Sequence, residues 1–150
     1  MNKAFIFRIY PTKEQQVLFA KTFGCCRFIY NKMLADKKAY YDANGKTLQT
    51  TPAQYKTDYP WLKEVDSLAL CNVQLHLQSA YAMFFKRQTE FPKFKNKKDN
   101  KNNSYTTNNL NSSIRIEDNK LRLPKIGLVK IKLHRNIPDN YELKSVTIKK

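Results

Sequence analysis

The sequence predicts an α+β fold, namely a small antiparallel β-barrel with a bundle of about four helices inserted after its first strand. Two observations predict it. Apolar residues recur with helical spacing between residues 12 and 89, whereas after Pro92 they alternate with charged residues, as in strands exposed on one face. A single strand before the helices is marginal alone, so we expect it to pair with the later strands.

The first strand and the first helix have clear local signals. Apolar and polar residues alternate over residues 3–10, which predicts a strand, and Pro11 ends the alternation. Thr12 is a suitable N-cap residue, and Gln15 stands where a capping box needs its partner. Gly24 is expected to end this first helix.

Three further helices are predicted before Pro92. The apolar spacing of residues 25–43 predicts the second helix, which an Asn-Gly pair ends, and Pro52 suits the first turn of a short third helix. A long fourth helix is expected from a cap at Asp66 or Ser67 to about Thr89. We expect the core to receive the following residues of this region: Val17, Leu18, Phe23, Cys26, Phe28, Ile29, Met33, Leu34, Tyr40, Tyr41, Trp61, Leu62, Val65, Leu70, Val73, Leu77, Ala80, Tyr81, Phe84 and Phe85.

Five strands are predicted after the helices, with a hairpin turn at residues 117–120. The barrel would comprise residues 1–11 and 91–150, and the helical part residues 12–90. The strands are expected over residues 104–107, 113–117, 120–124, 128–134 and 143–150. The inward side chains are expected to be Ile114, Ile116, Leu121, Leu123, Leu128, Ile131, Leu133, Val146 and Ile148, and the outward ones Arg115, Arg122, Lys130, Lys132 and Lys149.

Composition narrows the class of protein. Twenty-eight basic residues against twelve acidic residues give a net charge of +16, which attracts polyanions. No apolar run is long enough for a membrane span, and the first residues do not resemble a secretory signal. The three cysteines lack the spacing of a disulfide framework or a zinc site, so we expect reduced thiols in a prokaryotic cytoplasm and no metal.

The positive charge is concentrated rather than spread. Residues 86–101 hold seven basic residues against two acidic ones, and residues 115–150 hold ten against four. Aromatic residues interrupt the first of these segments, and such rings can stack on unpaired bases while lysines neutralise phosphates. Nucleic acid is therefore the expected partner. An anionic membrane surface is a weaker alternative, because no strongly basic amphipathic helix with an apolar face is evident.

Motifs of catalysis are missing from the sequence. It has no acidic cluster, no Ser/His/Asp set, no glycine-rich phosphate loop and no metal-ligand spacing. His76 and His134 are isolated and are interpreted as ordinary imidazoles at the surface or the core edge. The cysteines are interpreted as small buried side chains.

Six segments taken together resemble the N-terminal region of TnpB, the OrfB-type proteins of insertion sequences. These segments are "FRIYPTKEQ", "GCCRFIYNKML", "PWLKEVDSLALCN", "AYAMFF", "FPKFKNKK…SY" and "LRLPKIGLVKIKLHR", in the order and spacing of that family. The resemblance covers nearly the whole chain. It implies an RNA-guided DNA endonuclease in which a wedge-like β-barrel carries a helical recognition lobe, a region often labelled helix-turn-helix.

The resemblance also implies a division of labour and a set of site residues. Guide RNA reads the target DNA, while the protein holds the backbone and reads a short motif in the double-stranded DNA beside the target. The residues expected at nucleic-acid backbone are Arg27, Lys32, Lys93, Lys95, Lys97, Lys98, Lys125, Lys130 and Lys132. Stacking on bases, or anchoring of the basic segment, is expected of Phe94 and Tyr105. Motif readout is expected of Gln49, Thr50, Ser67, Leu68, Cys71, Asn72, Asn108 and Asn109.

The catalytic half of that family does not occur in these 150 residues. In the family it is a RuvC-like nuclease with three acidic residues, a divalent metal and a four-cysteine zinc ribbon. The resemblance therefore implies a binding module without a cofactor of its own, whose partners include guide RNA, target DNA and a C-terminal nuclease half. Two alternatives remain: a stand-alone helix-turn-helix regulator that binds duplex DNA, and an RNA-binding structural protein.

Overall fold

The fold has three α-helices and six strands over residues 2–150, the part of the chain that the computed structural model describes. The helices and two short 3₁₀ turns are α1 (Lys13–Asn44), α2 (Pro52–Tyr55), a 3₁₀ turn (Pro60–Glu64), α3 (Ser67–Phe85) and a 3₁₀ turn (Asn100–Asn102). The strands are β1 (Ile9–Tyr10), β2 (Ser104–Asn108), β3 (Arg115–Glu117), β4 (Lys120–Leu123), β5 (Gly127–Ile131) and β6 (Ser145–Lys149).

The strands form two antiparallel sheets, so the α+β class is confirmed. One sheet has the order β1-β5-β4-β3, and the other consists of β2 and β6. The predicted pairing of the first strand with a later one is confirmed, since Ile9 is opposite Ile131. No closed barrel joins the sheets within residues 2–150, because β1 contributes only two residues to the ladder and β2 pairs only with β6.

Helix α1 runs through the position where the sequence predicted a break. Its 32 residues include Gly24, and the helix ends instead at Gly45, whose φ of 66° is the left-handed conformation that glycine adopts readily. A glycine inside a helix costs only about 1 kcal/mol. Phe23 and Cys25 on either side of Gly24 are buried, so their packing outweighs that cost. The helices predicted before and after Gly24 are therefore a single helix, and the prediction of about four helices was wrong.

The caps agree with the sequence. Thr12 Oγ1 accepts a hydrogen bond from Gln15 N at 3.2 Å, and Gln15 Oε1 accepts one from Thr12 N at 3.0 Å. Gln15 Nε2 also donates to Leu128 O at 2.7 Å, which fastens the start of α1 to β5. Asp66 caps α3 by accepting a hydrogen bond from Leu68 N at 3.0 Å.

Only the last two residues of the predicted first strand join a sheet. The residues before them are not part of a strand, and two of them are held by ring contacts. Phe5 contacts Tyr141 with ring centroids 6.1 Å apart, and Phe7 contacts His134 at 5.2 Å. The facing segment of residues 132–144 forms no strand, so it offers no continuous row of backbone partners.

One core joins α1, α3 and the inner faces of both sheets. The hairpin predicted at residues 117–120 is confirmed, because Asp118 and Asn119 both have φ near 50–60° between paired strands. Leu128 was expected inside but is 43% exposed, and Val129 takes its place in the core. The other predicted core residues that the structure exposes are Val17, Tyr40, Tyr41, Trp61, Phe85 and Leu133.

No helix within residues 2–150 combines the length and the apolar character that crossing a bilayer requires.

Candidate nucleic-acid interface

The outer face of the four-stranded sheet carries basic side chains in register. Lys120 lies directly opposite Lys130, and Arg115 lies directly opposite Arg122. All four residues are exposed. Beyond the last ladder pair, the backbone N–H of Lys132 donates to the carbonyl of Arg8 at 2.9 Å, which adds two more exposed cations at the sheet end. We call this surface the basic sheet face, defined by Arg8, Arg115, Lys120, Arg122, Lys130 and Lys132.

One acidic residue, Glu117, lies beside the cations of the basic sheet face, directly opposite Lys120 in the ladder of β3 and β4. Glu117 Oε2 accepts a hydrogen bond from Arg115 Nε at 3.0 Å. The salt bridges found in residues 2–150 involve neither Lys120 nor Lys130. Side chains directly opposite in an antiparallel pair have Cβ atoms about 4.5–5.5 Å apart, so two such lysines repel each other. The face is therefore suited to a polyanion, whose phosphates would relieve that repulsion.

A second basic surface is the loop of residues 91–101, here called the basic loop. Its backbone is fixed to α1 by Asn31, whose Oδ1 accepts from Lys95 N at 2.7 Å and whose Nδ2 donates to Lys95 O at 3.0 Å. Lys97 and Lys98 are exposed beyond this attachment. Phe94 is 57% exposed, so its ring has a face that an unpaired base could cover.

Four of the expected backbone contacts already have partners in the protein. Lys32 Nζ donates to Asp36 Oδ1 at 3.0 Å, and this hydrogen bond raises the pKa of Lys32. Lys93 Nζ lies 3.1 Å from Glu90 Oε2, although both side chains are largely exposed. A phosphate would have to compete with both carboxylates.

The other two lie partly inside the protein. Lys95 is half-buried with Nζ 4.4 Å from the centroid of the Tyr30 ring, and burial lowers its pKa. Arg27 is also half-buried, and its Nη1 donates to Asn103 Oδ1 at 2.6 Å. Of the remaining expected contacts, Lys125 is exposed in the turn between β4 and β5.

Tyr105 lies in the core rather than at the surface. It is 5% exposed in β2, and its ring packs on Phe23 and Phe19 with centroids 5.9 and 6.3 Å away. Burial raises the pKa of its hydroxyl. The ring has no free face for a base, so the stacking role expected of Tyr105 does not fit its position.

The first turns of α3 meet the end of β2 and bring four expected readout residues together. Asn72 Nδ2 donates to Asn108 Oδ1 at 2.6 Å and to Thr106 O at 3.1 Å. Ser67 and Cys71 are exposed on the same two turns. The contact is held from inside by a hydrogen bond from the Thr107 hydroxyl to the buried Asp66 carboxylate. We call this surface the readout face, defined by Ser67, Cys71, Asn72 and Asn108.

The other four residues expected to read the motif are not part of the readout face. Gln49 is exposed, and Thr50 Oγ1 accepts a hydrogen bond from the Tyr55 hydroxyl at 3.4 Å. Leu68 is half-buried. Asn109 Nδ2 donates to Leu143 O at 2.8 Å, which links the two chain segments just beyond the pair of Asn108 and Ser145 at one end of the small sheet.

The expected site omitted four cations of the basic sheet face, namely Arg8, Arg115, Lys120 and Arg122. The sequence held a signal for them, because the alternation of β3, β4 and β5 already placed Arg122 on the outer side. Which residues lie opposite each other depends on strand order and register, and neither can be read from a single sequence. Among residues 2–150, no three His, Cys, Asp or Glu side chains are grouped so that they could hold a metal ion.

Comparisons with known proteins identify a matching family model and related proteins. A family model described as a helix-turn-helix domain, of the OrfB type, matches residues 1–46. In residues 2–46 the structure has β1 followed by the single helix α1, without a turn between two helices.

Three relatives also match. A proposed RNA-guided DNA endonuclease of Streptomyces pristinaespiralis is 30% identical over 99% of this chain. The similarly described InsQ of Escherichia coli strain K12 is 27% identical over 97% of the chain. The chain spans only 38% and 37% of these two proteins. The virulence protein VsdF of Salmonella dublin is 35% identical over 59% of this chain and 88% of its own length.

Proposed function

Since the chain belongs to the TnpB (OrfB-type) family and corresponds to its N-terminal region, we propose that it is the nucleic-acid-binding module of an RNA-guided DNA endonuclease. Its features are exposed cations, aromatic rings and amide side chains. Within residues 2–150 the structure shows no group of three acidic or other metal-ligating side chains of the kind that a metal-dependent nuclease centre uses. We therefore assign binding rather than cleavage to these residues.

The observation that carries this proposal is the basic sheet face. Two like-charged pairs stand directly opposite each other, Lys120 with Lys130 and Arg115 with Arg122. Such pairs destabilise a sheet unless something compensates them. A phosphate chain supplies that compensation at every nucleotide, and binding releases its counterions.

We assign the two macromolecules to different surfaces. Guide RNA, or its heteroduplex with the target strand, lies along the basic sheet face and the basic loop. The readout face contacts the short DNA motif beside the target, with Asn72 and Asn108 presenting amide groups to base edges. The two sheets would then form the wedge-like domain of residues 1–11 and 91–150, and residues 12–90 the recognition lobe.

The same proposal includes three statements, on the cofactor, the location in the cell and the further partner. The module needs no cofactor to bind RNA. It works in the cytoplasm, where the free thiols of Cys25, Cys26 and Cys71 stay reduced. Its further partner is a C-terminal nuclease half.

The test is a comparison of binding to structured RNA and to duplex DNA over a range of salt concentrations. Replacing Lys120, Lys130 and Lys132 by alanine should weaken RNA binding and reduce the slope of log K against log salt by about three. A matched control replaces three other exposed lysines, Lys38, Lys46 and Lys63, and removes the same charge. Equal losses in both variants would mean that the effect is bulk charge and not this surface.

The alternatives predict other outcomes. A stand-alone helix-turn-helix regulator would bind duplex DNA tightly without RNA, but α1 has no turn to separate two such helices. A structural RNA-binding protein would co-purify with ribosomal RNA, whereas the proposed module would co-purify with transcripts from the ends of its element.

A further inference from the structure

A small cavity lies where α1, α3 and β2 meet, next to the readout face. Its volume is about 40 Å³, far below the several hundred Å³ of sites for organic ligands. A single small group can enter it, but a base or a nucleoside cannot. The polar side chains that line it include Arg27, Asn72, His76, Lys95, Asn102 and Ser104.

The lining contains basic groups from three separate segments and no carboxylate. Arg27 comes from α1, His76 from α3 and Lys95 from the basic loop. The buried carboxylate of Asp66 does not line the cavity. It accepts hydrogen bonds from Leu68 N and the Thr107 hydroxyl. The three basic groups therefore converge without an anion between them.

The pKa values of two of these basic groups, Lys95 and His76, are lowered. Burial lowers the pKa of Lys95. The pKa of His76 is lowered by burial and, secondly, by the nearby charge of Lys95. The lowered pKa of Lys95 reflects burial, and only that of His76 includes repulsion from a neighbouring cation. An anion in the cavity would relieve this condition.

We propose that this cavity binds one backbone phosphate of the duplex DNA that the readout face contacts. The proposal rests on the proposed function. Asn72 belongs both to the cavity lining and to the readout face, so the strand that meets one surface passes the other. Arg27 and Lys95 supply charge-assisted donors to the phosphate oxygens, His76 supplies a ring N–H, and the amide and hydroxyl side chains complete the shell.

Inorganic phosphate tests the cavity without nucleic acid. In the intact 150-residue chain, phosphate should shift the NMR signals of the His76 ring and of Arg27 Nε in a saturable manner. His76→Glu places a carboxylate at the cavity and should abolish the saturable shift of Arg27 Nε. Gln78→Glu adds the same charge at an exposed position of the same helix and should leave the shifts unchanged. The absence of a saturable shift in the unsubstituted chain would overturn the inference.

Duplex DNA and structured RNA then identify the source of the phosphate. His76→Glu should weaken duplex binding about tenfold and reduce its salt slope by about one, with RNA binding unchanged. Lys95→Met should weaken duplex binding to a similar extent, and a thermal melt shows whether that variant remains folded. Because Lys95 also belongs to the basic loop, the comparison with RNA is made on His76→Glu. If RNA binding falls as much as DNA binding, the assignment to DNA is wrong. If phosphate binds but neither nucleic acid does, the proposed function fails and the DNA assignment with it, while the anion site stands.

Discussion

Reversing one charge on the basic sheet face is expected to stabilise the protein while weakening its binding to RNA. Lys130 lies opposite Lys120, and both are exposed. Lys130→Glu replaces a like-charged pair by an opposite-charged one. Cross-strand pairs contribute roughly 0.2–1 kcal/mol each, so we expect about 0.5–1 kcal/mol of added stability at low salt. For a chain of this length that corresponds to a rise in Tm of about 1–4 °C.

The assay combines thermal unfolding with RNA binding for the same variant. Because salt screens exposed charges, the gain in Tm should disappear near 1 M salt. The affinity for RNA should fall, and the salt slope should decrease by about one. Lys130→Gln removes the repulsion without adding an attraction, so its Tm should lie between those of the unsubstituted chain and Lys130→Glu.

A charge reversal elsewhere separates a local effect from net charge. Lys46 is exposed in the loop after α1 and has no place in the proposed surface. Lys46→Glu should leave both Tm and RNA affinity nearly unchanged. A fall in Tm for Lys130→Glu, or an RNA affinity equal to that of the Lys46 variant, would refute the argument from strand register.

Three further predictions follow from the other surfaces. Replacing Lys97 and Lys98 together by alanine should weaken RNA binding and lower the salt slope by about two, because both are exposed on the basic loop; an unchanged slope would remove the loop from the interface. Maleimide at pH 8 should label Cys71, which is exposed, far faster than Cys25 and Cys26, because burial raises the pKa of both thiols and brings that of Cys26 to about 12. Bound duplex should protect Cys71, and mass spectrometry measures both effects; equal labelling with and without duplex would count against the readout face. Adding EDTA should leave RNA binding intact, and a loss of affinity would reveal a metal requirement that the proposal does not include.

Local signals predicted much of the fold. The capping box of Thr12 and Gln15, the Gly45 helix end, the hairpin at Asp118 and Asn119 and the five late strands all depend on neighbouring residues. The break at Gly24 was wrong because a local preference of about 1 kcal/mol was outweighed by tertiary packing on both sides. A single sequence gives the preference but not the packing.

Side-chain direction was harder to predict than element type. Leu128 and Ile131 were both assigned to the core, with one slip in the alternation between them, although residues three apart in a regular strand face opposite sides. The turn at Gly127, where φ is 91°, sets the phase so that Val129 and Ile131 face inward. Lys95 was expected to reach outward with the other lysines of the basic loop. The two hydrogen bonds from Asn31, which is 64 residues away in sequence, turn it toward Tyr30 instead.

Helix α1 also has a mechanical consequence. Its 32 residues correspond to a rod about 48 Å long. One end is tied to β5 through Gln15 and Leu128, and near the other end Lys37 Nζ donates to Leu48 O at 2.6 Å, just before Gln49 and Thr50. A rod without a hinge behaves as a lever. A force that bound nucleic acid exerts on β5 would therefore be transmitted along α1 to the region of Gln49 and Thr50, because the helix has no flexible joint between its two attachments.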